Sequence, residues 1–135
     1  TLIIIYLGFL IYSTTNYKNL SSRDFVNEKI SDDRKTTEFI LNELNYSGII
    51  YSHQAPLIAY YSGLNTTPIW IGSKNVSDGV NILMKEPAIF VGAYYFEKTT
   101  PPQRQPTTSW MRNDSRFTHI KDIGSNFIFR YDPKN

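Results

Sequence analysis

The chain contains no cysteine among its 135 residues. Disulfide bonds, a thiolate nucleophile and zinc sites built on cysteine are therefore excluded. Charged residues are also few, at 19%, and the net charge of +2 includes no long basic run. This balance argues against a nucleic-acid partner, because the phosphate backbone is recognised mainly by clustered lysine and arginine.

Several motifs that carry chemistry are missing as well. Neither G-x-x-x-x-G-K-S/T nor G-x-G-x-x-G occurs, so no glycine-rich turn is available to bind phosphates. H-E-x-x-H, G-x-S-x-G and D-x-D are also absent. The two histidines, His53 and His119, are far apart and have no acidic partner at a recognisable spacing. We therefore expect no metal, no cofactor and no catalytic residue in this chain.

The sequence opens with an apolar run from Leu2 to Tyr12 that contains no charged residue. A complete membrane-spanning helix needs about 20 such residues, so we interpret this shorter run as the end of a transmembrane helix. A buried core helix and a strand remain alternatives. The membrane interpretation divides the chain into a helix end at 1–13, a juxtamembrane connector at 14–35 and an α/β domain at 36–135.

Two features favour an extracytoplasmic position of this domain at the cell membrane. Lys18 is the only basic residue among the first 22, whereas cytoplasmic juxtamembrane segments usually carry more lysine and arginine. Five N-x-S/T triplets offer acceptor sites for N-glycosylation, and they begin at Asn19, Asn45, Asn65, Asn75 and Asn113.

Helical and strand patterns alternate through the rest of the chain. We expect a helix from Ser31 or Asp32, begun by a solvated Asp32–Asp33 pair. Strands are expected over residues 48–52, 67–72 and 88–97, separated by helices that begin at Pro56 and at Ser77 or Asp78. A mobile surface loop over 98–109 and a hairpin of strands 117–123 and 126–132 complete the chain. This order predicts a three-layer α/β domain with a short, mainly parallel sheet and strand 88–97 at its centre.

The stretch IIYSHQAPLIAYYSGLNTTPIW holds the candidate contact residues. His53 and Gln54 follow the first strand at its carboxyl end, where open α/β sheets bind ligands. Either residue could contact a ligand or simply cap the next helix. Tyr60 and Tyr61 are adjacent in that helix and point about 100° apart, so one should pack on the sheet and the other reach outward. Residues 94–96, all aromatic, could line a sugar-stacking surface or the rim of the sheet.

Two short phrases carry a resemblance to a known family. The first, P-x-x-x-Y-Y-S-G, is formed by Pro56, Tyr60, Tyr61, Ser62 and Gly63. The second, G-x-x-F-x-F-R, is formed by Gly124, Phe127, Phe129 and Arg130. With the order of elements, they resemble the extracytoplasmic C-terminal domain of polytopic membrane glycosyltransferases that use lipid-phosphate sugar donors. These include the dolichyl-phosphate-mannose protein mannosyltransferase-like family and its aminoarabinose transferase relatives. Leu64–Asn65 stands where a basic residue is common in such proteins.

The resemblance implies transfer of a sugar from a polyprenyl-phosphate carrier to a lipid or protein acceptor. The implied partners are an upstream transmembrane domain, the lipid-linked donor and the acceptor. The catalytic acid of such proteins lies in an early extracytoplasmic loop, so the resemblance implies that this fragment alone is inactive. Two alternatives remain: a membrane-anchored ligand-binding or sensor domain without enzymatic activity, and a soluble α/β enzyme in which residues 2–12 form a strand.

Overall fold

The computed structural model describes residues 23–69, 75–99 and 105–134. The chain divides into two compact units, residues 1–31 and 32–135. In the first unit the described part is the beginning of helix α1, which spans Arg23–Glu38. The predicted end of a transmembrane helix at 1–13 lies outside the described residues. Among the helices of the described ranges, none has the length and apolar character needed to cross a bilayer.

The second unit alternates strands with short helices. Helix α1 continues into a π-helical turn, Phe39–Glu43. The next elements are β1 Ile50–Ser52, α2 Ala55–Ser62, β2 Thr66–Pro68, α3 Val76–Leu83 and β3 Ala88–Ala93. The last four are α4 Tyr94–Thr99, α5 Thr108–Arg112, β4 Phe117–Ile123 and β5 Asn126–Tyr131.

The strands form one mixed sheet in the order β2–β1–β3–β5–β4. Strand β1 is parallel to both β2 and β3, whereas β5 is antiparallel to both β3 and β4. Strand β3 is central, and all of its residues are buried. The predicted α/β class, with a parallel part and a C-terminal hairpin, is therefore confirmed.

Helices cover both faces of the sheet and make it the middle of three layers. On one face, here called face A, Ile40 of the π-helical turn and Ile58 of α2 pack on Ile50, Ile89, Val91 and Ile128. On the other, face B, Val80 of α3 and Met111 of α5 pack in a cluster with Tyr51, Phe90, Phe117, Phe127, Phe129 and Tyr131. Successive side chains of β3 supply the two cores in turn, because neighbouring residues of a strand point to opposite faces.

The predicted start of the first helix is wrong. Helix α1 already includes Arg23, and Asp32 and Asp33 lie within it at 5% and 0% exposure rather than at a solvated end. Their partners are in the β4–β5 hairpin. Asp32 Oδ2 accepts hydrogen bonds from the backbone N–H and the hydroxyl of Ser125, at 2.8 and 2.9 Å. Asn126 Nδ2 donates to Asp33 Oδ1 at 2.8 Å. Each buried carboxylate thus has at least one hydrogen-bond partner in the hairpin, without which its burial would be costly.

The predicted strand 88–97 is too long. Strand β3 ends at Ala93, which pairs with Asn126, the first residue of β5. Because β5 offers no partner beyond that point, the ladder stops after the Tyr94 N–H donates to the Ser125 carbonyl at 3.0 Å. The chain then turns into α4.

Residues 105–109, the described part of the predicted mobile loop, are packed and enter helix α5 at Thr108. Gln105 is buried, and its Nε2 donates to the Phe96 carbonyl at 2.8 Å. The prediction of an unpacked loop over 98–109 is therefore wrong for its second half. Helix α3 is capped by Asn75, whose Oδ1 accepts from the Ser77 N–H at 2.9 Å, instead of by Ser77 or Asp78.

Candidate functional site

The parallel strands have a switch point between β1 and β3. The chain leaves β1 through α2, which packs on face A, and reaches β2 at one side. It leaves β2 through α3, which packs on face B, and reaches β3 at the other side. In open α/β sheets, ligands bind outside the carboxyl ends of strands that diverge in this way. The carboxyl edge of β1 and β3 is therefore the candidate site.

His53 lies at this edge, as the sequence predicts. It follows β1 directly, and its backbone N–H donates to the Val91 carbonyl of β3 at 3.4 Å. The half-buried imidazole extends the aromatic layer of face B. Its ring centroid lies 5.4, 5.6 and 6.4 Å from those of Phe90, Phe96 and Phe127. The ring is thus oriented by aromatic contacts at the mouth of the switch point.

Gln54 also lies at the edge, but it does not cap α2 with its side chain. The capping alternative is therefore wrong for this residue. Instead, the Gln54 backbone N–H donates to Ser52 Oγ at 2.9 Å. The side chain is 7% exposed, and Oε1 is buried with no hydrogen-bond partner among the described residues. Such a buried acceptor needs a donor.

Tyr60 and Tyr61 do not share this edge. Helix α2 begins at the carboxyl end of β1 and must run back toward the start of parallel β2, so residues near its end lie away from His53. Tyr60 is 80% exposed, which confirms that one of the pair reaches outward. Tyr61 is half-buried and contacts the Tyr60 ring edge to face at 5.2 Å, whereas Ile58 is fully buried in the core.

A second polar group lies near the edge on face B, and the sequence analysis did not predict it. The Tyr94 hydroxyl donates to Asp122 Oδ2 at 3.1 Å, and His119 Nε2 lies 2.8 Å from Asp122 Oδ1. The Tyr94 ring contacts Phe127 at 5.1 Å, and the His119 ring contacts Phe129 at 5.0 Å. One carboxylate therefore joins a phenol and an imidazole above the aromatic core.

A β-bulge in β4 brings His119 and Asp122 together. In a regular strand, residues three apart point to opposite faces. The bulge lies between His119 and Lys121, so His119 pairs with Phe129 and Asp122 pairs with Phe127. Both pairs belong to face B. The sequence analysis found no acidic partner for His119. Regular alternation would place Asp122 on the opposite face of the sheet, and the sequence gives no sign of the extra residue that changes this.

Tyr94 is protonated at neutral pH, and its environment extends this state to higher pH. Burial raises the pKa of its phenol above 10.0, and the hydrogen bond to the Asp122 carboxylate raises it further. The phenol is therefore a donor to Asp122, and its oxygen can still accept. In the tautomer with Nε2 protonated, His119 also donates to Asp122 and presents Nδ1 as an acceptor. The group as a whole is suited to bind hydrogen-bond donors.

Face A carries a buried polar layer at the same edge. Asn126 is 0% exposed, and its Nδ2 donates to Asp33 Oδ1 at 2.8 Å and to Thr36 Oγ1 at 3.2 Å. Its Oδ1 is buried and has no hydrogen-bond partner among the described residues. Within those same ranges, no three His, Asp or Glu side chains are grouped so that they could hold a metal ion.

The predicted glycosylation sites differ in accessibility. Asn45 and Asn65 are exposed. The side chains of Asn75 and Asn113 are hydrogen-bonded to nearby backbone, and Asn19 lies outside the described residues. Asn45 and Asn65 are therefore the best candidates for modification, which stays a prediction.

Comparison with known proteins yields no relative. No family model, no curated protein and no solved structure matches the chain. The resemblance to membrane glycosyltransferases consequently rests on the two short phrases and on the order of elements.

Proposed function

We propose that the chain is the extracytoplasmic domain of a membrane glycosyltransferase, whose catalytic part lies upstream of Thr1. The parent protein transfers a sugar from a polyprenyl-phosphate carrier to a lipid or protein acceptor. The main support is the local structure of PLIAYYSG. Pro56 lies in the first turn of α2, and Gly63 ends the helix with a φ of 65°. The phrase thus corresponds to the crossover helix between two parallel strands, as the resemblance implies.

The carboxyl edge supports a role in contacting a sugar or the acceptor. His53 and Tyr94 place aromatic rings there, and aromatic rings pack on the apolar faces of sugars. Asp122 and Gln54 supply oxygens that accept hydrogen bonds from hydroxyl groups. In this proposal the domain binds and positions, and the chemical step takes place in the upstream part.

The gene sequence upstream of Thr1 is the first test. The proposal expects several membrane-spanning segments and an acidic residue in the first extracytoplasmic loop. A single upstream apolar segment would contradict it and favour the membrane-anchored sensor domain.

A transfer assay tests the role of the carboxyl edge. The parent protein in membrane vesicles is supplied with a radiolabelled polyprenyl-phosphate sugar and acceptor. His53→Phe keeps an aromatic ring but removes the imidazole nitrogens, so we expect transfer to fall about tenfold, the equivalent of one lost hydrogen bond. Thr118→Ala, at an exposed position of β4, is the control and should leave transfer unchanged. Equal transfer by both variants would exclude a contact through His53.

A further inference from the structure

Helix α2 has an apolar outer face. The helix, Ala55–Ser62, contains no charged residue. Ile58 on its inner side is fully buried, whereas Leu57 and Tyr60 are 39% and 80% exposed. The Ser62 hydroxyl donates to the Ile58 carbonyl of the same helix at 2.7 Å. A helix at a protein surface normally presents charged and polar side chains to water, and α2 does not.

The outer side chains of α2 form one patch. Residues three or four apart are neighbours on the surface of a helix, so Leu57 lies beside both Tyr60 and Tyr61, and Pro56 lies beside Tyr60. The Tyr60 and Tyr61 rings contact each other edge to face at 5.2 Å. Pro56 is exposed, and Tyr61 is half-buried. We call Pro56, Leu57, Tyr60 and Tyr61 the α2 patch.

The chain around α2 is also uncharged. Residues 44–73 include no Asp, Glu, Lys or Arg, although such residues make up 19% of the chain. This segment supplies β1, α2 and β2, and β2 is the outermost strand on its side of the sheet. An exposed apolar patch with an uncharged polar surround is typical of a surface that contacts a protein or a membrane.

We propose that the α2 patch lies on the surface of a lipid bilayer, among the headgroups. The inference deepens the proposed function and rests on its membrane anchor. Tyrosine suits this depth, because its ring is apolar while its hydroxyl stays hydrated. A protein partner is usually selected by complementary charges, and residues 44–73 offer none. Residues 14–22, which follow the proposed anchor, can span at most about 35 Å, so a weak affinity is sufficient to hold the patch on the bilayer.

This position brings the candidate site to the membrane. Pro56 and Leu57 lie in the first turn of α2, which begins at the carboxyl edge directly after His53 and Gln54. A docked patch therefore holds the carboxyl edge close to the headgroups. In the proposed function, the phosphate and sugar of the lipid-linked donor lie at this level, and the domain binds the sugar at the bilayer surface.

Fluorescence quenching of the full chain on vesicles tests the proposal. The vesicles contain phosphatidylcholine and a nickel-chelating lipid, which holds an N-terminal histidine tag whether or not residues 2–12 insert. Because the chain has no cysteine, Tyr60→Cys allows a single label with the fluorophore NBD in place of the phenol ring. A lipid with a nitroxide high in its acyl chain should quench this label. High salt should not weaken the quenching, because residues 44–73 carry no charge.

Ile82 provides matched controls. It is another exposed apolar side chain, at 64%, but it belongs to α3, which packs on face B. An NBD label on Ile82→Cys should not be quenched. With the label at position 60, Leu57→Glu should lower the ratio of docked to free domain about tenfold or more, because the burial of one large apolar side chain is lost. Leu57→Ser should act in the same direction without adding a charge, and Ile82→Glu should leave the quenching unchanged.

Three outcomes would overturn the proposal: no quenching at position 60, which would leave the patch to a protein partner, equal quenching at positions 60 and 82, or quenching at position 60 that both Leu57 variants leave unchanged. Faster disulfide cross-linking between unlabelled Tyr60→Cys chains than between Ile82→Cys chains would assign the patch to a second copy instead. A glycan on Asn65 of the parent protein would also contradict docking, since it would hold the end of α2 away from the lipid. The gene sequence upstream of Thr1 still decides the glycosyltransferase proposal separately, because the histidine tag replaces the anchor in this experiment.

Discussion

Replacing Gly124 by alanine should destabilise the domain far more than a Gly→Ala replacement in a turn usually does. Gly124 has a φ of 56°, in the left-handed region. A Cβ at this position would lie closer than 3.0 Å to the carboxylate of Asp32. The carboxylate cannot simply move away, because it is buried and holds the backbone N–H and the hydroxyl of Ser125.

The structure allows the magnitude to be estimated. A left-handed alanine costs about 1 kcal/mol of backbone strain. Displacing Asp32 breaks two hydrogen bonds to a charged group, each worth about 1.5 kcal/mol or more. We therefore expect Gly124→Ala to lower the free energy of unfolding by about 4 kcal/mol.

Gly63→Ala is the matched control. Gly63 has a φ of 65°, but no atom lies within 4 Å of an added Cβ, so the expected loss is the strain alone, about 1 kcal/mol. Urea denaturation followed by circular dichroism measures both variants. In an Asp32→Ala background, Gly124→Ala should also cost only about 1 kcal/mol, because the clash and the two bonds are already gone. Equal losses for the two glycine variants would refute this reasoning.

Three further predictions concern pH and packing. The hydrogen bond from Arg116 lowers the pKa of Asp114 below 3.8. Its contribution to stability is therefore present above pH 3.8 and is lost as the pH falls through the pKa of the folded state. In Asp114→Asn, the midpoint of urea unfolding should depend less on pH between about pH 2 and 6 than it does in the wild type. Burial raises the pKa of Tyr94 above 10.0. The contribution of the Tyr94 phenol to stability is therefore present below pH 10 and is lost as the pH rises through the pKa of the folded state. Above pH 10, Tyr94→Phe should lose less stability than the wild type, as measured by urea unfolding. Gly92→Ala would place a Cβ against the buried Phe127 ring and should cost about 2 kcal/mol in the same urea assay; an unchanged midpoint in any of these comparisons would contradict the corresponding contact.

The sequence predicted the order of the strands and of the helices that connect the first three, but it missed the helices α4 and α5 and most of the element ends. Apolar runs and turn residues correctly identify β1, α2 and β3, because those signals are local. The end of β3 at Ala93 depends on where β5 begins, which is a pairing over distance. The prediction for Asp32 failed for the same reason. Its partner Ser125 is 93 positions away, and the local sequence therefore predicted a solvated carboxylate at the start of a helix.

The candidate site was also predicted only in part from the sequence. His53 and Gln54 were correctly placed at the carboxyl edge, because a strand followed by a crossover helix determines that position. The pairing of His119 with Asp122 depends on a bulge, and the orphan state of Asn126 Oδ1 depends on tertiary packing. Neither has a signal in the spacing of residues. Tyr60 and Tyr61 stood out by composition, but the direction of α2 removes them from the site.

The two outer strands of the sheet are poorly suited to pair with a further strand. Strand β4 interrupts its free edge with a bulge and carries exposed Lys121 and Asp122, and β2 is only three residues long and ends in Pro68. Bulges, charges and proline all disfavour pairing with another strand. In the proposed function, a sugar or acceptor would therefore be bound by side chains at the carboxyl edge and not by an added strand. Both faces of the sheet supply hydrogen-bond acceptors at that edge, and the sugar of the proposed function carries hydroxyl groups that can donate to them.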